Sequence, residues 1–355
     1  MSKLRFISFV FAFTMAVLIS SCNRDEVMVE PPPVVAKSGA YVLSEGGFSP
    51  GTSKLSFFDF EDEKFNVNIF NPGSLGLFPD GILLNEGNLY ITEQGNFGAP
   101  GKIYKTDTNG TVISSANIGI NPFAITLANG RLYVSNGPSN TVSAISRENL
   151  QILSTIPVRN YPQEILSISN RVFVCNFGSF STGDDSVVSV IDAGNNQVVG
   201  NIIVGKNPST LAKTSDGKLL IGCPGDSSRA VIYKVDPLTL AKLDTFKNLT
   251  FGLSKDIVAT GSNLIHFIGG DIYVDKEIIE YNVSTGVSRV LIQQPSGYFN
   301  YGLATDPDNS NIFVAQAASD FASSGRLRIY SSGGVLAKEL VITDGIAPRR
   351  IIVKR

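Results

Sequence analysis

The sequence predicts an all-β fold, a seven-bladed β-propeller of four-stranded antiparallel blades whose C-terminal strand closes the first blade. Three observations predict it. A four-part phrase recurs every 40 to 48 residues, every part of it is strand-like, and the series begins and ends out of phase. Such a period is that of a four-stranded propeller blade.

The phrase opens with Pro-x-x-apolar and is clearest at Pro122-Phe123-Ala124-Ile125. It continues through Leu132-Tyr133-Val134-Ser135-Asn136, Val142-Ser143-Ala144-Ile145 and Ile152-Leu153-Ser154-Thr155-Ile156. Each piece is short, β-branched or aromatic, and bounded by Gly, Asn, Pro or Ser, as strands are. The openings fall at Pro79, Pro122, Pro162, Pro208, Ser254, Asn300 and Pro348. Third strands keep the same count, at 55–59, 102–107, 142–145, 187–192, 231–236, 278–282 and 327–330. The first copy starts at its second strand, Ala40-Tyr41-Val42-Leu43, and the last opening, Pro348 to Val353, has nothing after it. The end of the chain therefore supplies the innermost strand of the first blade, which leaves no sheet edge open at the join.

Ahead of the repeats, Lys3 and Arg5 precede the apolar run Phe6–Ile19, which ends in Ser20-Ser21-Cys22. That order is a signal peptide, residues 1–21. The run is shorter than the ~20 apolar residues of a membrane span. Leu18-Ile19-Ser20-Ser21-Cys22 resembles a bacterial lipobox, which makes Cys22 the lipidation site and 22–38, with Pro31-Pro32-Pro33, a stiff tether. Residues 39–355 are the propeller. Asn23 suits outer-membrane sorting and Asp25-Glu26 resembles acidic surface-export tags, so the expected place is the outer membrane, on its surface or its periplasmic face.

Without residues 1–21 the chain carries 27 basic against 31 acidic residues, which excludes nucleic acid as a partner. Cys175 and Cys223 fall at non-equivalent positions of neighbouring repeats and read as two buried thiols. His266 is the only histidine, in a slot that other repeats fill with Ile91, Val134, Val174 and Ile221, so no His-rich metal site or Ser-His-Asp set is available. No catalytic residue and no metal is expected. A calcium site of Asp and Asn oxygens stays open, with Asn136, Asn176 and Asp256 as its candidates.

Strand order puts the loops between second and third strands on the same rim as the links between blades. Those segments are long and aromatic, with Phe97, Tyr161 and Phe177 among them, while the other rim is made of tight turns such as Asn129-Gly130. The residue after each opening proline slot varies around the ring: Asp80, Phe123, Gln163, Ser209, Lys255, Tyr301 and Arg349. Three residues after the slot the type is constant, from Ile82 through Leu211 to Ile351. A mixed ring above a uniform one suits an irregular polar ligand, or else a wet and unconstrained position.

Leu132-Tyr133-Val134-Ser135-Asn136 and Val172-Phe173-Val174-Cys175-Asn176 resemble the YVTN repeat of YncE-like propellers. Tyr41-Val42-Leu43-Ser44-Glu45-Gly46-Gly47 is similar to the first repeat of Bacteroidetes surface propeller lipoproteins. The resemblance covers nearly all of 39–355, although Leu219-Leu220-Ile221-Gly222 and Leu264-Ile265-His266-Phe267 depart from it. It implies a non-catalytic ligand-binding lipoprotein with no required cofactor. Cobalamin is the implied ligand and a TonB-dependent outer-membrane transporter the implied partner. A protein–protein scaffold in the envelope and a lactonase-like metal-dependent hydrolase remain as alternatives.

Overall fold

The computed structural model describes residues 38–47, 51–70, 79–179, 183–225, 230–251, 256–261, 263–271 and 274–355. The signal peptide, Cys22, nearly all of the tether and Lys255 lie outside them. The described strands form seven four-stranded antiparallel sheets, each running consecutively in the chain except the first. That sheet, blade 1, takes Pro348–Lys354 as its inner strand, followed by Gly39–Ser44, Lys54–Asp59 and Phe65–Phe70. The inner strands of blades 2 to 7 are Pro79–Asn85, Pro122–Ala128, Pro162–Ile168, Thr210–Lys213, Ile257–Thr260 and Tyr298–Thr305. The propeller, its blade count and its closure are as the repeat predicts.

The closing strand pairs antiparallel with Gly39–Ser44 from Lys354↔Gly39 to Pro348↔Ser44. Arg355 extends the join by pairing with Asp306 of blade 7, its Nε 3.0 Å from Oδ2, and by lying over Phe60 at 4.3 Å.

Blades pack through apolar faces. Second strands alternate between neighbours, so Tyr41, Tyr90, Tyr133, Phe173 and Phe313 are fully buried. Three of these tyrosines also stitch the ring. Tyr41 donates to Thr108 O in blade 2, Tyr90 to Arg147 O in blade 3, and Tyr133 to Ala193 O in blade 4. Each buried phenol thereby finds the acceptor it needs, in the outer turn of the next blade. Burial pushes the Tyr41 phenol up to about 12, so it stays a donor.

His266 occupies this tyrosine column, opposite Val258 and Glu280. Phe267, opposite Ile257, fills the slot of Ile91 and Val134. The sequence alignment is thus one residue out here, because Leu264-Ile265-His266-Phe267 lacks the Tyr-Val-x-Asn landmark. The ring contacts Thr260 Oγ1 at 3.0 Å and Glu280 Oε2 at 3.2 Å within its own blade. It is a buried core histidine, and desolvation lowers its pKa. Cys175 and Cys223 are free and buried in one apolar cluster between blades 4 and 5. Burial pushes the Cys223 thiol up to about 12. The reading as two buried thiols agrees with the structure.

The two rims differ as expected. Backbone bonds tie second-to-third-strand loops to inter-blade links on one rim: Glu45 N to Ala347 O, Phe177 N to Tyr161 O, and Ser319 N to Gly297 O. Asn129-Gly130 and Glu86-Gly87 make the opposite rim with positive φ at both residues, the type I′ signature. Among the described residues no helix is long and apolar enough to cross a membrane.

Deleting residues 344–355 removes a whole inner strand and leaves the edge of Gly39–Ser44 unpaired. The truncated chain is expected to be insoluble or strongly destabilised, and an unchanged melting temperature would refute the closure.

Candidate functional site at the loop rim

The inner strands line the axis, and five of them carry a β-bulge at one place. The register slips between Pro79 and Ile82, Pro122 and Ile125, Pro162 and Ile165, Asn300 and Gly302, and Pro348 and Arg350. The extra residues at these slips include Asp80, Phe123, Gln163, Tyr301 and Arg349. A bulge re-aims the side chains it carries, so the variable ring of the sequence coincides with the places where the ladder is interrupted. In blade 2 the bulge is pinned by Thr92, which accepts from Gly81 N and donates to Phe123 O of the next blade. Ser135 repeats this between Ala124 N and Gln163 O.

Ring positions are used unequally. Arg349 Nη1 lies 3.2 Å from Glu45 Oε1 and its Nε 3.7 Å from Asp80. Its guanidinium carbon stands 5.6 Å from the Tyr301 ring, whose hydroxyl donates to Glu45 Oε2 at 2.9 Å. Asp80, Tyr301 and Arg349 are therefore joined in one buried cluster, while Phe123, Gln163 and Ser209 are half-buried outside it. Two oxygens of the ring are buried without a hydrogen bond among the described residues, Asp80 Oδ2 and Ser209 Oγ.

Arg350, the next residue along, crosses the axis. Its Nε is 2.9 Å from Asp80 of blade 2, its Nη2 is 2.7 Å from Glu164 of blade 4, and its Nη1 is 3.6 Å from Asp256 of blade 6. Neither Arg350 nor Glu45 and Glu164 belongs to the ring that the sequence singled out. The signal lay one column further on, where Gly81, Ala124, Glu164, Thr210, Asp256, Gly302 and Arg350 set two acids and one base among small residues. Glu45 carries no repeat signal, because it begins a loop.

The six charged side chains are 2 to 19% exposed, so their fields act in a medium much drier than water. Burial pushes Asp256 up to about 6, with Arg350 and Arg349 offsetting only part of the cost. Burial raises Glu45 as well. Burial would also raise Asp80, but Arg350 and Arg349 hold it below the usual carboxylate range. Both guanidiniums stay charged.

Asn136 and Asn176, two candidates for calcium, turn away from the axis. Asn136 Nδ2 donates to Ser143 and Asn176 Nδ2 to Val187 O and Ser189, all on third strands of their own blades. Asp256 does face the axis, where Arg350 is its neighbour. Among the described residues no group of three or more His, Cys, Asp or Glu is placed to hold a metal ion.

The three aromatic rim residues sit elsewhere on the same rim. Phe97 is 83% exposed at the tip of a loop organised by buried Asn121. Asn121 accepts from Gly98 N and donates to Gln94 O and Asn96 O. Tyr161 and Phe177 are half-buried at the junction of blades 3 and 4, joined through their backbones.

Arg350→Ala would leave Asp80, Glu164 and Asp256 without their shared cation, at an expected cost of about 3–5 kcal/mol in denaturant unfolding. Asp256→Asn should act in the opposite sense, and only above a threshold pH. The folded pKa of Asp256 lies above its unfolded value of ~3.9, so the stability linked to its proton is full below that value and lost as pH rises through about 6. The variant should therefore melt higher than wild type above pH ~6 and lose that advantage below pH ~4. Melting curves with no pH-dependent difference would refute the assignment.

A model of the family described as "Domain of unknown function (DUF5074)" matches residues 38–346. No curated protein matches the chain. Among solved structures, the chain is similar to a "Quinonprotein alcohol dehydrogenase-like protein" from Bacteroides thetaiotaomicron, with a TM-score of 0.66, 14% identity, and coverage of 90% of this chain and 78% of that one. It is also similar to a putative 6-phosphogluconolactonase from Bacteroides fragilis, with a TM-score of 0.66, 11% identity, and coverage of 91% and 100%. The periplasmic gluconolactonase PpgL of Pseudomonas aeruginosa gives a TM-score of 0.62 at 14% identity, covering 89% and 99%. At such identities these likenesses concern the fold alone. The family match spans most of the sequence, and the chain belongs to the DUF5074 family.

Proposed function

We propose that the protein is a lipid-anchored envelope propeller that captures a small polar ligand at the axial mouth of its loop rim, without catalysis. The observation that supports this reading is the coincidence of the variable ring with the bulges. Bulges give up ladder hydrogen bonds to re-aim side chains, and here five of them fall on the variable ring, at an acid, a phenyl ring, an amide, a phenol and a guanidinium. The half-buried Phe123 supplies an apolar group and Gln163 an amide. In this reading Cys22 carries the anchor at the outer membrane. A corrinoid such as cobalamin is the first ligand to test, handed on to a TonB-dependent transporter; both come from the likeness to surface propeller lipoproteins.

One arrangement favours a second reading. Asp256, which burial pushes up to about 6, has the proton affinity of a general base and stands at the axis. Turnover of a sugar lactone that Asp256→Asn abolishes would replace capture with hydrolysis.

In a thermal-shift screen of corrinoids and other cofactor-sized compounds, a ligand of the mouth should raise the melting temperature. Phe123→Ala and Gln163→Ala lie outside the charge cluster and should each weaken that ligand about tenfold. Unchanged affinity in both variants would remove the mouth as the site.

A further inference from the structure

A cleft of about 620 Å³ opens on the loop rim between blades 7 and 1, lined by Thr52, Lys54, Tyr298, Ser323, Asp344 and Ile346 among others. Its size falls within the range of small-molecule sites, roughly 300–1,000 Å³. None of the variable ring residues lines it.

Two of its walls are fixed in advance by hydrogen bonds. In the loop after Ala318, Asp320 accepts from Ala322 N, Ser323 N and Ser323 Oγ. Phe321, at φ +49°, stacks on Phe299 at 5.7 Å and meets the edge of Tyr301 at 5.4 Å. The link on the other side is held by Gly325 N to Gly345 O and by Asp344 N to Ser324 Oγ. In the third wall, Gly47 N donates to Thr52 Oγ1 and Ser53 Oγ to Glu45 O. A ligand here would have little ordering of the loop from Ser319 to Ser324 to offset.

The chemistry of the lining is narrow. Tyr298 presents an aromatic ring backed by Arg326, whose guanidinium carbon stands 3.7 Å from its centroid and whose Nε donates to Gln316 at 2.6 Å. Asp344 stands at the lip with its side chain 83% exposed, so most of its acceptor capacity faces solvent. Lys54 Nζ lies 3.8 Å away and donates to Thr343 O. Thr52, Ser323 and Ser324 add hydroxyls. The lining carries one cation and one anion, so no net field selects an ion, and it mixes polar with apolar groups, which suits a ligand of mixed character. What it matches is an uncharged ring with an apolar face for the tyrosine and adjacent hydroxyls for a carboxylate to accept from.

We propose that this cleft is a second binding site, separate from the axial mouth, for a neutral polyhydroxylated ring of the pyranose type. The carboxylate of Asp344 receives neighbouring hydroxyls of the sugar while its C–H face lies on Tyr298. Lys54 donates to a further ring or hydroxyl oxygen.

The test is calorimetric titration of the full-length protein with glucose, galactose, mannose, N-acetylglucosamine and their disaccharides. At least one should bind, and Tyr298→Ala and Asp344→Asn should each weaken it about tenfold, as the loss of one platform or one charge-assisted hydrogen bond does. Asp344 is exposed, so its variant keeps the fold; Phe123→Ala at the mouth should leave saccharide binding unchanged. Failure of every sugar to bind, or binding that neither cleft variant alters, overturns the proposal. A corrinoid that binds where no sugar does sinks this site and leaves capture at the mouth standing.

Discussion

The structure depends on the Arg350 guanidinium buried at the axis. Arg350 enters on the closing strand and reaches carboxylates on blades 2, 4 and 6, so a single side chain ties four of the seven sheets together. Desolvating such charges is costly, and the arrangement is tolerable only because the geometry of every partner is fixed. The surrounding residues make that possible. Blades 2 and 7, which flank the entering strand, carry glycine in the Arg350 column. A Cβ at Gly302 would lie 1.7 Å from Arg349 O, and one at Gly81 2.4 Å from Thr92 Oγ1. The closing strand thus leaves no room for a side chain at Gly302, and in this column the acids, Glu164 and Asp256, sit on blades that do not flank it.

Most of this fold was legible in the sequence because propeller packing repeats. The period, the seven third strands and the out-of-phase ends are local features with a short-range cause, namely strand length and turn chemistry. Legibility failed where a blade lost its landmark, as at His266, where a one-residue slip exchanged two columns. At the site, the variable ring was readable as a column but its division was not. Nothing in the residue types of Asp80, Tyr301 and Arg349 tells that they turn inward on one another, since that follows from distances across the ring. Glu45 was illegible for the same reason: 304 residues separate it from Arg349.

The loop rim combines two kinds of construction. At the axis, ladder interruptions aim side chains inward over a rigid charged floor. At the perimeter, asparagine and aspartate side chains hold the loops: Asn121 beneath Phe97, and Asp320 beside the cleft. In both cases short polar side chains fix the backbone, aided beside the cleft by the stacking of Phe321 on Phe299, which leaves the outward-facing residues free to vary. That separation of support from contact lets one scaffold carry unrelated recognition chemistry.

The closing strand also sets where the ring can come apart. In blades 2, 3 and 4 a tight turn joins the first strand to the second, whereas in blade 1 these two, Pro348–Lys354 and Gly39–Ser44, are held by pairing across a wide gap in the sequence. A joint without a turn is a natural place for local opening to begin. Parting it would also pull Arg350 away from Glu164 and Asp256. The charges at the axis therefore latch a seam that the backbone itself does not fasten.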